Sequence, residues 1–358
     1  MTEFEQRRRA VVERLAVNKI EALLVSSPAN LRYLTGYSGS NGLMLITGAE
    51  ERFFTDPRYG AEATSNITCK VQICKVPLIN AAAAIAKRRK LKKIGIEPSW
   101  LHVAEYNELQ GALPSGVELQ PIASLVEDLR SVKSPEEISK IRHSVRVNSE
   151  AFTRTLNRVR PGVRENEIAA ELDFQMRILG AEKTAFDTIV AAGPRSALPH
   201  AQPTKHPLGD KELLLIDSGA MVDGYASDMT RVAYAGTPPK RIREIYKGVA
   251  EAQLAAIDAV RAGVPVYKVD ATAREVLKKH GFDKEFIHST GHGLGLEIHE
   301  PPKIGKKQKT RLQAGMVITI EPGAYIDGLA GVRIEDTVLV TERGCQVITQ
   351  TPKRLFPL

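Results

Sequence analysis

The stretch LLLIDSGAMVDGYASDMTR, residues 213–231, decides how the C-terminal part of this chain is read. Leu213 to Ile216 form an apolar run that ends on Asp217. Asp223-Gly224 favours a two-residue hairpin turn, because both residues tolerate positive φ. The return strand carries Asp228. With the turn centred on 223 and 224, Asp217 lies opposite Thr230. Asp228 is then its diagonal neighbour on the same face, about 7–8 Å away at the backbone. Two carboxylates aimed at one place repel unless they are protonated or bound to cations. Taken alone, the segment also fits one buried capping aspartate and one turn aspartate.

Two more segments repeat the pattern. Met316 to Ile320 is an apolar strand ending on Glu321. In GVRIEDTVLV, residues 331–340, Arg333, Glu335 and Thr337 share one face of a predicted strand. An acid within a β-branched run is costly to bury alone. FIHSTGHGLGLEIHEPP, residues 286–302, adds His288, His292 and His299, three of the eight histidines in the chain. Glycines beside them let backbone and substrate approach closely. Four such acids and an imidazole point to a pair of divalent ions. Hard oxygens with one imidazole suit Mn²⁺, Co²⁺ or Zn²⁺. Two ions about 3.5–4 Å apart would clamp a hydrolytic transition state. His288 and His292 are four apart, as in a helical zinc motif, but the glycines argue against a helix there.

The 358 residues are 43% hydrophobic and 26% charged, with a formal net charge of +8, an ordinary globular mix. No apolar run is long enough for a membrane span. The opening MTEFEQRRRAVVERL has no secretory pattern, and three cysteines (Cys69, Cys74, Cys345) are too few for a disulfide framework, so a cytoplasmic setting is expected. The basic run Lys87 to Lys93 reads as the solvated end of a helix. It has no interleaved aromatics, so no nucleic-acid partner is expected.

In order, the pattern predicts a helix over 5–17 and a buried strand over 22–25. A short helix capped by Asn30, strands over 43–47 and 52–55, and helices over 59–63 and 80–89 follow. A strand over 94–96 and a helix over 103–110 complete an α/β unit spanning 1–130. Ser134, Pro135, Glu136 and Glu137 then form a strong helix start, which opens a second domain, 134–358. Helices are expected from there to about 159, over 165–179, over 240–261 and over 269–280.

The segments IDSGAMVDGYASDMTR, HSTGHGLGLEIHEPP, TIEPGAY and GVRIEDTVLV resemble the Xaa-Pro peptidases of the creatinase-like, pita-bread metallopeptidase family M24. SPANLRYLTGYSG, residues 27–39, is similar to that family's N-terminal domain. The resemblance implies an α+β protein: a C-terminal pita-bread fold after a smaller creatinase-type α/β domain. It implies two divalent ions, Mn²⁺ before Co²⁺ or Zn²⁺. The ligands would be Asp217, Asp228, His292, Glu321 and Glu335, with Asp228 and Glu335 touching both ions. Glu321 would also be general base. His200 and His299 would meet the scissile carbonyl, and His288, Arg333 and Tyr325 would flank the site. His206 matches no role.

The implied substrate is a proline-containing di- or oligopeptide, and the implied assembly a homodimer. Xaa-Pro dipeptide hydrolysis is preferred to aminopeptidase P action. The lysines of Lys303, Lys306, Lys307, Lys309 and Arg311 stand where prolidases often place arginine toward the substrate carboxylate. The same fold also serves as a metal-free peptide-binding module or a creatinase-type amidinohydrolase. Five retained ligands disfavour both.

Overall fold

The computed structural model describes all 358 residues, in two compact units, Met1–Arg130 and Ser131–Leu358. The first unit is built on a six-stranded sheet. Its strands, edge to edge, are Lys70–Ile73, Glu51–Thr55, Leu43–Thr47, Ala22–Val25, Lys93–Ile96 and Glu118–Pro121. Ala22–Val25 and Glu51–Thr55 run antiparallel to Leu43–Thr47, and the remaining neighbours are parallel. Leu24, Leu45, Phe54 and Ile96 pack against Ile79, Ala82, Ala83 and Ala86 of the helix Leu78–Arg88. The alanines let that helix lie close to the sheet.

Three local expectations need correction. Ser27, not Asn30, caps the short helix Pro28–Thr35, because Pro28 occupies its first turn. Asn30 is buried instead, and its Nδ2 donates to Glu97 and Glu127 while its Oδ1 accepts from Arg130. The two edge strands Lys70–Ile73 and Glu118–Pro121 went unread, since their polar, half-exposed faces carry little alternation. The basic run is also not simply solvated. Arg89 and Arg88 reach Glu50, whose carboxyl falls to about 2 under hydrogen bonds from Arg52 and then Arg89.

In the second unit, Ser134 caps the helix Pro135–Leu156 in a reciprocal box with Glu137. Helices Glu165–Ile178, Lys240–Asp258 and Val266–Lys279 follow. The order helix, helix, strands occurs twice. One sheet sets Leu213–Ser218 between Ile189–Ala192 and Met229–Tyr234, all antiparallel. A second joins, in order, Glu300–Ile304, Gly291–Gly293, Val317–Ile320, Asp336–Val340 and Cys345–Val347. Gly323–Ile326 and Ala330–Arg333 form a separate hairpin. Ile318, Ile320, Val332 and Val338 close one core with Ile245, Val249, Val269 and Ala273 of the later helix pair. No helix is long and apolar enough to cross a membrane.

The Asp223-Gly224 turn is found as read. Both residues have positive φ, 50° and 78°, Val222 pairs with Tyr225, and Thr230 faces Asp217. The return strand also holds a cation that the sequence reading passed over. Arg231 is 1% exposed. It donates to the carbonyls of Thr230, Glu335, Thr351 and Pro352 and to Oδ1 of Asp336 at 2.7 Å. Asp336 in turn accepts from Gln253 and Lys353. Arg231→Met leaves Asp336 short of its closest buried partner and several carbonyls unmet. It should lower the unfolding free energy by about 3–5 kcal/mol in urea titrations; a loss below about 1 kcal/mol would contradict this account.

Candidate metal centre

The four acids fall where strands end. Asp217 is near the end of Leu213–Ser218 and Asp228 just precedes Met229–Tyr234. Glu321 follows Val317–Ile320, and Glu335 lies between Ala330–Arg333 and Asp336–Val340. The last placement corrects the reading of residues 331–340 as one strand. Arg333 pairs with Gly323 in the small hairpin, whereas Asp336 pairs with Ile320 in the larger sheet. The expected convergence survives the break. Arg333 Nε and Glu335 Oε2 both bond Thr230 Oγ1, at 2.9 and 2.7 Å, and Thr337 Oγ1 donates to the Asp228 carbonyl.

His292 sits on the short strand Gly291–Gly293. Its Nδ1 lies 2.9 Å from the Gly293 carbonyl, which fixes that nitrogen as the N–H donor. Nε2 is therefore free to face Asp228 Oδ2 at 3.5 Å and Glu321 Oε1 at 3.6 Å. Donor atoms of Asp228, His292 and Glu335 all lie within 4.8 Å of one another. Asp217 joins through Arg333, whose Nη2 donates to its Oδ2 at 2.5 Å. Asp217 Oδ1 and Glu335 Oε1 are buried without a partner.

The electrostatics have the same cause throughout. Burial, then the Glu335, Asp217 and Glu321 charges, raises Asp228 well above the carboxylate range. Burial, then Glu321 and Asp217, does the same to Glu335. Burial pushes Glu321 to about 8, Arg333 opposing and Asp217 adding. Burial lowers His292 to about 4, with His299 adding to the fall, so its imidazole is neutral. Orphaned carboxylate oxygens, mutual repulsion among acids and a neutral imidazole with one nitrogen pre-assigned are what divalent cations require. The donor set fits such ions.

Around this set, His288 Nε2 meets Tyr325 Oη at 2.8 Å, and Arg333 Nη1 donates to the same oxygen at 2.7 Å. Burial, then the Arg333 charge, lowers His288 to about 4. Arg333 Nη1 also reaches the Pro199 carbonyl, beside His200. His200 is exposed and close enough that its charge acts on both His288 and His299. The His299 ring stands edge-on to that of His292, centroids 4.3 Å apart. His206 lies elsewhere, near Glu212.

The glycines beside His292 serve the close backbone approach expected of them. A Cβ on Gly291 would lie 2.0 Å from the Thr319 carbonyl oxygen, and one on Gly293 would lie 2.3 Å from that of Pro301. They let neighbouring strands close up. Sequence reasoning also missed Thr230 and Thr319. Thr230 joins Arg333 to Glu335, and Thr319 Oγ1 accepts from His292 N–H and faces Glu321. Threonine inside an apolar strand was the available signal.

The sequence model of metallopeptidase family M24 matches residues 139–342, and that of the creatinase/prolidase N-terminal domain matches 7–132. The chain belongs to metallopeptidase family M24. This M24 peptidase is 37% identical to a Xaa-Pro dipeptidase of Pyrococcus furiosus over 353 residues, 99% of this chain and 100% of the relative. The solved Xaa-Pro dipeptidase from Bacillus anthracis superposes with a TM-score of 0.96 at 36% identity, covering 99% of this chain and 100% of that one. The X-Pro aminopeptidase structure from Thermotoga maritima gives 0.90 at 35%, covering 98% and 100%. The pita-bread fold with a creatinase-type N-terminal domain is thus the fold of this M24 peptidase.

Proposed function

We propose that this chain hydrolyses the imide bond of Xaa-Pro dipeptides, with two divalent cations held by Asp217, Asp228, His292, Glu321 and Glu335. Asp228 and Glu335 would serve both ions, with Mn²⁺ preferred to Co²⁺ or Zn²⁺. The observation that carries the reading is the gathering of Asp228, Glu321 and Glu335 around His292, with Asp217 Oδ1 and Glu335 Oε1 buried and unpartnered, in an M24 chain. Named relatives of full length supply the preference for proline.

When bound, such cations polarise the scissile carbonyl and acidify the attacking water. The chain's own groups do the rest. Glu321 takes the water's proton and delivers it to the proline nitrogen, which departs as a secondary amine. His200 and His299 meet the carbonyl oxygen as negative charge grows on it. Arg333 holds both Asp217 and the Pro199 carbonyl, so one side chain orients a ligand and the His200 segment. His288 fixes Tyr325, the other partner of Arg333. Proline has no N–H and a fixed φ, so the site must accept a ring rather than an extended strand. A homodimer and a cytoplasmic setting complete the proposal; the three free cysteines agree with the latter.

The cation for the substrate carboxylate is, in this reading, Lys303. It pairs with His292 across the strands, so the two side chains share a face, and its charge acts on His299. Lys306, Lys307 and Lys309 stay exposed on the following turn, and Arg311 donates to the Gly263 carbonyl. Lys303→Met should raise KM for Ala-Pro about 10- to 100-fold, the worth of one charge-assisted bond, with a smaller change in kcat. An unchanged KM would remove Lys303 from the role.

The deciding experiment compares Ala-Pro, Gly-Pro and an Xaa-Pro-Ala tripeptide with each metal. Cleavage confined to dipeptides supports the proposal. Preferential cleavage of the tripeptide would replace it with the aminopeptidase reading, which the Thermotoga neighbour's description favours.

A further inference from the structure

We infer that Lys133 is a positioning residue for His299: its buried ion pair with Glu300 sets the loop that presents the His299 ring beside His292. The inference rests on the proposed substrate-side role of His299.

The Lys133 and Glu300 side chains are 1% and 2% exposed, and Nζ lies 2.9 Å from Oε2. Nζ also reaches the Ser131 carbonyl at 3.3 Å. An ion pair this deep adds little net stability, because desolvation offsets the attraction and apolar replacements are often no worse. What it does add is geometry. Glu300 Oε1 accepts the Glu297 N–H at 3.1 Å, and Gly295 N–H donates to the Glu297 carbonyl at 3.0 Å. The Gly295 carbonyl accepts from Ala226 N–H at 2.7 Å, on the hairpin between Asp217 and Asp228. The loop from Gly293 to Glu300 is thus closed on itself by one carboxylate. A Cβ on Gly295 would lie 2.7 Å from that carboxylate, so the loop leaves it a single seat.

Lys133 is itself fixed. Its N–H donates to the Gly315 carbonyl at 2.9 Å, and Val132 bridges Met316, directly before the strand that ends on Glu321. The side chain therefore ties the Glu321 strand to the residue following His299. These bonds of the pair run to Ser131 and Glu297, neither of them a proposed ligand. Breaking it should loosen His299 and leave cation binding intact.

The test uses Mn²⁺-loaded full-length protein. Lys133→Met should bind Mn²⁺ as the parent does. It should lower kcat on Ala-Pro about 10- to 100-fold, as a displacement of about 1 Å would, with KM moving less than about threefold. Lys133→Arg, which keeps the charge and its donors, should recover most of kcat. In a His299→Ala background, Lys133→Met should cost less than about threefold, because its route to the chemistry is gone. A full multiplicative loss there, an unchanged kcat in the single variant, or a loss of bound Mn²⁺ matching the loss of activity overturns the inference. Should Lys133→Met not fold, Glu300→Gln takes its place, keeping an acceptor for Glu297 N–H. Normal kcat in His299→Ala alone would instead overturn the role of His299. A slow His299→Ala beside a normal Lys133→Met overturns only the role of Lys133.

Discussion

Stripped of divalent cations with EDTA, the protein should hydrolyse Ala-Pro about a thousandfold or more slowly than when loaded. Mn²⁺ or Co²⁺ should restore the rate. The size follows from what the site lacks without cations. Without them, burial and then the neighbouring carboxylates raise the Asp228 and Glu335 carboxyls and work against their charged forms. Such a site offers a carbonyl little positive charge beyond Arg333, whose guanidinium is already committed to Asp217, Thr230, Tyr325 and the Pro199 carbonyl. Glu321→Ala in the loaded protein should cost about 10²–10⁴ in kcat as the lost general base alone, and weaken cation binding as well. Its far-UV spectrum should not change, because Glu321 lies beyond the strand end rather than within the apolar core. Turnover that survives chelation would overturn the metallopeptidase mechanism. A near-parental rate for Glu321→Ala would remove only the proposed base.

What could be read before folding was set by cost. Asp217, Asp228, Glu321 and Glu335 stand against apolar strands, where an unpaired charge is so expensive that its presence signals a partner. The turn at Asp223-Gly224 fixed the register of Asp217 against the return strand after Asp228, since both turn residues take the positive φ that turn needs. The same reasoning extends to Arg231 in MTRVAY, a cation in an apolar strand that finds Asp336. Lys133 escaped because its partner Glu300 is 167 positions away and nothing local marks either as buried. The break at Ile334–Glu335 was hidden because β-branched residues continue through it, and only pairing shows that the chain changes sheets there. The glycines around His292 were legible as points of close approach but not in what approaches them, because the atoms that would meet their Cβ belong to Thr319, Pro301 and Glu300. Asn30 was mistaken for a cap because Asn is a good one; Ser27 followed by Pro28 was better, and the carboxylates that hold Asn30 come from Glu97 and Glu127.

Loaded and stripped protein should also part company in thermal stability as the pH rises. In the stripped protein the Glu321 carboxyl sits at about 8, against an ordinary 4.5, and Asp228 and Glu335 are raised in the same sense. Between those values the folded state holds protons that the unfolded chain has released, so folding is linked to proton uptake. The stabilisation is complete below the unfolded value and is lost as pH rises through about 8. His288 and His292, lowered to about 4, act oppositely: the unfolded chain takes up their protons first, so they favour folding increasingly from about pH 4 to about 6.5. Above that they are neutral in both states and drop out. Above about pH 6.5 only the raised acids still differ between the two states, so the stripped protein should lose stability from there, on the order of a few kcal/mol by pH 9, or about 5–10 °C in Tm. Cations take the place of those protons in the loaded protein, and carboxylates bind them better once deprotonated. Its Tm should hold over the same range, and the gap between the two forms should widen from pH 6.5 to 9. Scanning calorimetry at fixed ionic strength measures both curves. A stripped protein whose Tm is flat or rising from pH 7 to 9 would mean that the acids do not crowd one another as their burial requires, and the fit to a cation pair would lose its electrostatic ground.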